Sequence, residues 1–165
     1  SDGSQTTLDS SGAFISRNGR SVAFHTLSRG VVPTDTNGLH DVFLRDLISG
    51  DLRHVSVGMG DLSANGGSAS PSLSWDGRYV AFGSSASNLI ANDLNLAIDV
   101  FVRDMELDLT RRASVSSQAS ESNGLSMFPS ISLDGWQVAF QSDASNLVDG
   151  DTNALTDIFV RSLPA

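Results

Sequence analysis

Three groups of acidic and amide residues share one spacing. Asp35, Asn37 and Asp41 form the first, Asp93, Asn95 and Asp99 the second, and Asp151, Asn153 and Asp157 the third. Calcium takes about six to eight oxygen ligands, often from closely spaced Asp, Asn and backbone carbonyls in one loop. Each group offers three such side chains, with carbonyls and water left to complete a shell. Calcium is therefore the cofactor this spacing admits. The match to an EF-hand loop is incomplete. Its fifth position falls on Leu39, Ala97 and Leu155, and no Gly stands at its sixth. The competing reading is architectural. Asp35 and its counterparts then make Asx turns, and Asp41 and its counterparts bond backbone N–H groups where a strand begins or pair with a nearby Arg. A cation held in all three loops would be structural, since catalysis rarely needs three copies.

Other chemistry finds less support. His25, His40 and His54 share no zinc-type spacing and are expected as surface or loop residues. There is no Cys, which removes thiolate catalysis, disulfides and Cys-based zinc sites. No Gly-x-Ser-x-Gly elbow is present. A Ser–His–Asp set needs no sequence proximity and stays open. "GGSAS" at 66–70 lacks the Lys and helix of a phosphate-binding loop. A formal charge of −9 disfavours nucleic acid and anionic membranes, which both require a basic surface. No apolar run approaches the ~18 residues of a membrane span, so membrane insertion is not expected. No signal peptide is visible, but Ser1-Asp2-Gly3 could begin a mature or trimmed chain, which keeps secretion open.

The recurrence of the acidic loops points to the elements that carry them. Gly19, Gly77 and Gly135 are 58 residues apart, as are Phe24, Phe82 and Phe140. Between 71–103 and 129–161, 19 of 33 positions are identical, which chance does not produce. Each copy reads as strands without helical periodicity. In the second copy "SPSLS" is a first strand, "WDGR" a hairpin turn, "YVAFGS" a second strand, "DVFVRDM" a third and "LTRRASV" a fourth. The consecutive apolar residues of "VAF" require burial on both faces, as stacking of neighbouring sheets provides. Four antiparallel strands per copy read as one propeller blade. The fold class is all-β, a propeller in one domain over 1–165, with blades at about 11–58, 69–116 and 127–165.

"PSLSWDGRYVAFGSSASNL" and "PSISLDGWQVAFQSDASNL" resemble the WD40-like propeller repeat of the TolB type, whose units centre on a Ser-x-Asp-Gly turn before an apolar strand. The first copy departs from the pattern, with Ala13 in place of Pro71 and Pro129 and an Asn-Gly turn at Asn18-Gly19. The resemblance implies a binding platform, a periplasmic or secreted assembly partner, or an accessory domain of a peptidase.

Counting strands leads to an assembly expectation. Closed propellers have roughly four to eight blades, and this chain carries three. Its third copy lacks a fourth strand. Two chains are therefore expected to form a homodimer completing one six-bladed ring around a two-fold axis. The segment 1–10, with β-prone Ser4–Leu8, could add as the outer strand of a partner's last blade. The leading functional expectation is a non-catalytic module that holds a protein, peptide or glycan. Two alternatives stand beside it. One is a small propeller hydrolase or lyase with a metal at the ring axis, and the other is an accessory fragment of a larger peptidase-like protein. Arg45, Arg103 and Arg161 could bind an anion, or more simply pair with a repeated Asp. Trp75 and Trp136, in the blade turns, could stack on a ligand or wedge between blades. Segments 25–33, 59–67 and 117–124 break the repeat and mark where function could depart from scaffold.

Overall fold

A computed structural model describes residues 8–27 and 29–163 of the chain. Three antiparallel sheets follow one another in chain order. The first contains β1 (Ser10–Ile15), β2 (Ser21–Thr26), β3 (Asp41–Asp46) and β4 (Leu52–His54). The second contains β5 (Ser68–Leu73), β6 (Tyr79–Ser84), β7 (Asp99–Asp104) and β8 (Leu109–Arg112). The third contains β9 (Ser126–Ile131), β10 (Gln137–Ser142) and β11 (Asp157–Ser162). Among the described residues the one departure from strand and loop is a 3-10 turn at Met59–Asp61. No helix among them is long and apolar enough to cross a membrane.

Hairpin chemistry at each first turn follows from sequence. Gly19, Gly77 and Gly135 have φ of 71°, 80° and 78°, the left-handed region that glycine enters without steric cost. Asp76 Oδ1 accepts hydrogen bonds from Arg78 N and Ser74 Oγ at 3.0 and 2.9 Å. Asn18 and Asp134 do the same for Arg20 and Trp136.

The fourth strands are shorter than the sequence suggested. At Ser56 and Ser114 the side-chain Oγ, rather than a backbone carbonyl, accepts from Val42 N and Val100 N. The chain then leaves the ladder, and Val57 and Val115 make only isolated bridges to Ser63 and Glu121. Among the described residues the third sheet has three strands with β11 at its edge. The additional strand at Ser4–Leu8 lies outside the described residues except for Leu8.

The core sits between sheets rather than within one. Phe82 and Phe101 join Val42, Leu44, Val55 and Leu73 in a layer between blades 1 and 2. Ala81, Val100 and Val102 join Ile131, Val138 and Phe140 in a second layer between blades 2 and 3. Successive residues of β6 and β7 thus bury opposite faces, which explains their unbroken apolar runs. Blade 2 is covered on both sides. The outer faces of blades 1 and 3 are not. Val100 and Val102 are 0% and 3% exposed, whereas their repeat counterparts Ile158 and Val160 are 72% and 65% exposed. On the opposite side, Leu73 and Ile131 are buried, while their counterpart Ile15 is 57% exposed.

Strands β1, β5 and β9 pack beside one another as the first strands of their sheets. Each carries a bulge with one residue at positive φ: Gly12 at 62°, Ser70 at 55° and Phe128 at 52°. These three are 58 residues apart. A bulky residue such as Phe128 in this region is strained.

Candidate functional site

The three acidic loops sit at equivalent places between the second and third strands of each blade, but their chemistry differs. In blade 2 Asp99 is fully buried at the start of β7. Its Oδ1 accepts from Ser114 Oγ and Ser122 Oγ at 2.5 and 2.9 Å. Its Oδ2 accepts from Asn95 Nδ2 at 2.8 Å and from Arg112 Nη1 at 3.1 Å. The same Nη1 reaches Asp93 Oδ1 at 3.2 Å, and Nη2 reaches Glu121 Oε1 at 2.8 Å. One buried guanidinium therefore gathers three carboxylates. Burial raises Asp93 above the ordinary carboxylate range, with Asp99 and Glu121 adding to the rise and Arg112 opposing it. Glu121 is held below its ordinary value, first by the Leu94 N–H and then by Arg112. Arg112 thus brings the protein's own positive charge to the blade 2 loop.

Blade 1 keeps Asp35, Asn37, Asp41 and Ser56 but changes three of the residues around them. His54 stands where blade 2 has Arg112, Ser63 where it has Glu121, and Ala64 where it has Ser122. His54 Nε2 lies 3.2 Å from Asp41 Oδ1, and its ring stacks on Phe43 with centroids 5.1 Å apart. Oδ1 of Asp35 and Oδ2 of Asp41 are buried without a hydrogen-bond partner. Burial, followed by the neighbouring Asp41, raises the Asp35 carboxyl. Blade 3 is open. Its Asp157 accepts from Asn153 Nδ2 at 2.8 Å, and Asp151, Asn153 and Asp157 are all half-buried or exposed. Among the described residues no group of three or more His, Asp or Glu is arranged to hold a metal ion.

Several sequence expectations need correction. The Asx turns are made by the amides, not by Asp35 and its counterparts. Asn37, Asn95 and Asn153 accept through Oδ1 from Leu39, Ala97 and Leu155 N–H at 2.7, 3.0 and 2.8 Å. The repeated arginines do not pair with a repeated Asp. Arg103 binds Asp108 and Thr110, and Arg161 binds the Ser116 carbonyl. His54 is not a surface residue, because its ring is covered by Phe43 and tied to Asp41. A Ser–His–Asp set does converge in blade 1, but Ser56 donates to Asp41 Oδ1 at 2.7 Å, so its proton points at the carboxylate rather than the imidazole. Ser56 and Asp41 are fully buried and His54 nearly so, which closes the set to any substrate. His25 bonds Ser11 at 2.9 Å, and burial and then His40 lower its pKa. Trp75 and Trp136 are both partly exposed.

Sequence reasoning missed Arg112, Glu121, Ser114 and Ser122. A usable signal was present: the position 13 residues after the buried Asp41 and Asp99 holds a nitrogen-bearing side chain in both copies, His54 and Arg112.

No protein-family model matches the chain, and no curated protein sequence matches it. Solved structures do. TolB from Acinetobacter baumannii aligns with a TM-score of 0.52 at 16% identity, over 94% of this chain and 32% of its own. A TolB-type protein of Agrobacterium tumefaciens aligns at 0.56 and 17% identity, over 98% of this chain and 61% of its own. The β-propeller domain of the Trilobed protease from Pyrococcus furiosus aligns at 0.51 and 12% identity, over 96% of this chain and 45% of its own. At these identities the likeness carries the fold alone. The class is the β-propeller, of which this chain forms three consecutive blades. It spans 32% and 61% of the length of the two TolB-type chains.

Proposed function

We propose that the chain is a non-catalytic binding and assembly module that completes a propeller ring by pairing with a second copy. One observation carries this reading. The same repeat positions are buried in the interior and bare at the two ends, as Val100 at 0% and Ile158 at 72% show. The bare face of blade 3 presents Ile158 and Val160, and that of blade 1 presents Ile15. These are the two halves of the contact already made twice within the chain. Burying one large aliphatic side chain stabilises by about 1.5–3 kcal/mol, and the paired arrangement repeats the gain at both seams.

In blade 2 Arg112 brings a positive charge to the acidic loop, which supports a scaffold role for that cluster. The TolB-type likeness favours a periplasmic or secreted setting, where such a module would hold a protein, peptide or glycan. Sedimentation equilibrium tests the pairing. A mass near twice 17.3 kDa at micromolar concentration is expected, and Ile158→Asp should return it to a single chain. A wild-type monomer would overturn the pairing. The remaining blades would then have to come from the same polypeptide, a reading that the 32% coverage of the Acinetobacter chain favours.

A further inference from the structure

Blades 1 and 2 hold the same pair of acids but satisfy them differently. In blade 2 a single nitrogen, Arg112 Nη1, lies 3.2 Å from Asp93 Oδ1 and 3.1 Å from Asp99 Oδ2. Asn95 Nδ2 gives that Asp99 oxygen a second bond at 2.8 Å. The equivalent atoms of blade 1 are Asp35 Oδ1 and Asp41 Oδ2, since Ser56 and Ser114 bond the other oxygen of Asp41 and Asp99 alike. Asp35 and Asp41 are 4% and 0% exposed, and these two oxygens have no hydrogen-bond partner. The pair of oxygens that shares one guanidinium in blade 2 is therefore the pair left bare in blade 1.

The neighbouring side chains turn elsewhere. His54 Nε2 faces Asp41 Oδ1 at 3.2 Å, and its Nδ1 faces Thr34 Oγ1 at 3.3 Å. Asn37 keeps the loop turn, but its Nδ2 donates to the Ala64 carbonyl at 3.0 Å rather than to Asp41. Ser63 stands where blade 2 has Glu121, so two carboxylates remain instead of three. Asp41 is close enough to oppose charge on Asp35, while His54 and Arg29 act less strongly the other way, Arg29 from an exposed position. Buried charge without a partner is costly, and a fold that keeps two such oxygens together leaves room for a counter-charge.

We propose that blade 1 binds one calcium ion between Asp35 and Asp41, in the place that the Arg112 guanidinium takes in blade 2. Two carboxylates balance a divalent charge. They are too few for a centre built from side chains alone, which suits an ion that completes its shell from main-chain carbonyls and water. Magnesium, which keeps its waters in a strict octahedron, suits an enclosed loop less well. The ion is structural. It ties the loop after β2 to the first residue of β3, within one blade and without need of ring closure.

Titration of calcium chloride into chelator-treated protein, in choline chloride and followed by calorimetry, tests the site. One site per chain is expected, saturating at or below about millimolar calcium. A hundredfold excess over the dissociation constant should raise the melting temperature by about 5–10 °C. Asp35→Asn should bind at least about tenfold more weakly. In chelator it should melt above wild type, because one of two facing charges is gone, and calcium should then stabilise wild type alone. His54→Arg/Ser63→Glu installs the cluster of blade 2 and should abolish calcium binding, and Asp35→Asn keeps the test open should that double change disturb folding. Asp151→Asn, in the open loop of blade 3, should bind as wild type does. No heat and no melting shift up to about 10 mM calcium would overturn the site. So would binding lost in Asp151→Asn and kept in Asp35→Asn. A larger shift with magnesium or potassium chloride than with calcium would overturn the choice of ion. Mass measured on the same samples separates any of these failures from a failure of ring pairing.

Discussion

Replacing Arg112 by Met keeps an unbranched side chain in the same channel and removes only the guanidinium. Arg112 and Asp99 are 6% and 0% exposed as side chains, so the charge left behind has no water to turn to. Removing one partner of a buried ion pair costs about 3–5 kcal/mol, and the lower part of that range applies because Glu121 is 30% exposed and can rehydrate. A loss of about 3–4 kcal/mol corresponds to a fall in melting temperature of roughly 6–16 °C for a chain of this size. The pH dependence has a definite sign. Burial already raises Asp93 above its ordinary value. A raised carboxyl favours the folded state below its unfolded pKa and loses that favour as pH rises through its folded one. Arg112→Met pushes Asp93 further in that direction, so its deficit should be widest at pH 7 and narrow toward pH 4. Thermal unfolding followed by circular dichroism at both pH values reads this directly. Arg20→Met, which removes an exposed pair with Asp46, should leave melting nearly unchanged. A melting point for Arg112→Met within about 2 °C of wild type at pH 7 would refute the clasp as a stabilising element.

Two other substitutions probe the irregular parts of the repeat. Asp35→Asn should raise the melting temperature at pH 7, because burial and Asp41 both disfavour the charge on Asp35, and the gain should vanish below the ordinary Asp pKa of about 3.9 as wild type protonates. A gain that persists at pH 3 would contradict this. Phe128→Gly should stabilise by about 1 kcal/mol by relieving a left-handed backbone, since its ring is 59% exposed and loses little packing. A fall in stability in urea titration would place the ring in a contact that matters more than the strain.

The sequence revealed the scaffold because the scaffold is what the copies share. Gly77, Phe82 and Asp99 return unchanged every 58 residues, and each has a fixed structural duty in a turn, a core layer or a buried bond. The clasp was hidden for the converse reason. The partner of its buried Asp is Arg112 in one blade and His54 in another, and its second acid is Glu121 opposite Ser63, so identity between copies passes over it. The blade 1 site is harder still. Asp35 and Asp41 have counterparts in both other copies, and only folding shows which of their oxygens are left without a partner. Shared positions report on architecture, and positions that vary within a shared architecture report on what one blade does that its neighbours do not.

The central blade has a consequence for how the chain opens and closes. Blade 2 is covered on both sides, and it also passes main-chain hydrogen bonds in both directions, from Asn18 N to the Trp75 carbonyl at 3.2 Å and from Trp75 N to the Leu133 carbonyl at 2.8 Å. In a linear array each unit borrows stability from its neighbours. Amide exchange should therefore be slowest in β6 and β7 and quicken toward β1 and β11, as local opening begins at the ends. Closing a ring abolishes ends. The flattening of that exchange gradient with rising protein concentration would register the moment at which a row of blades becomes a circle.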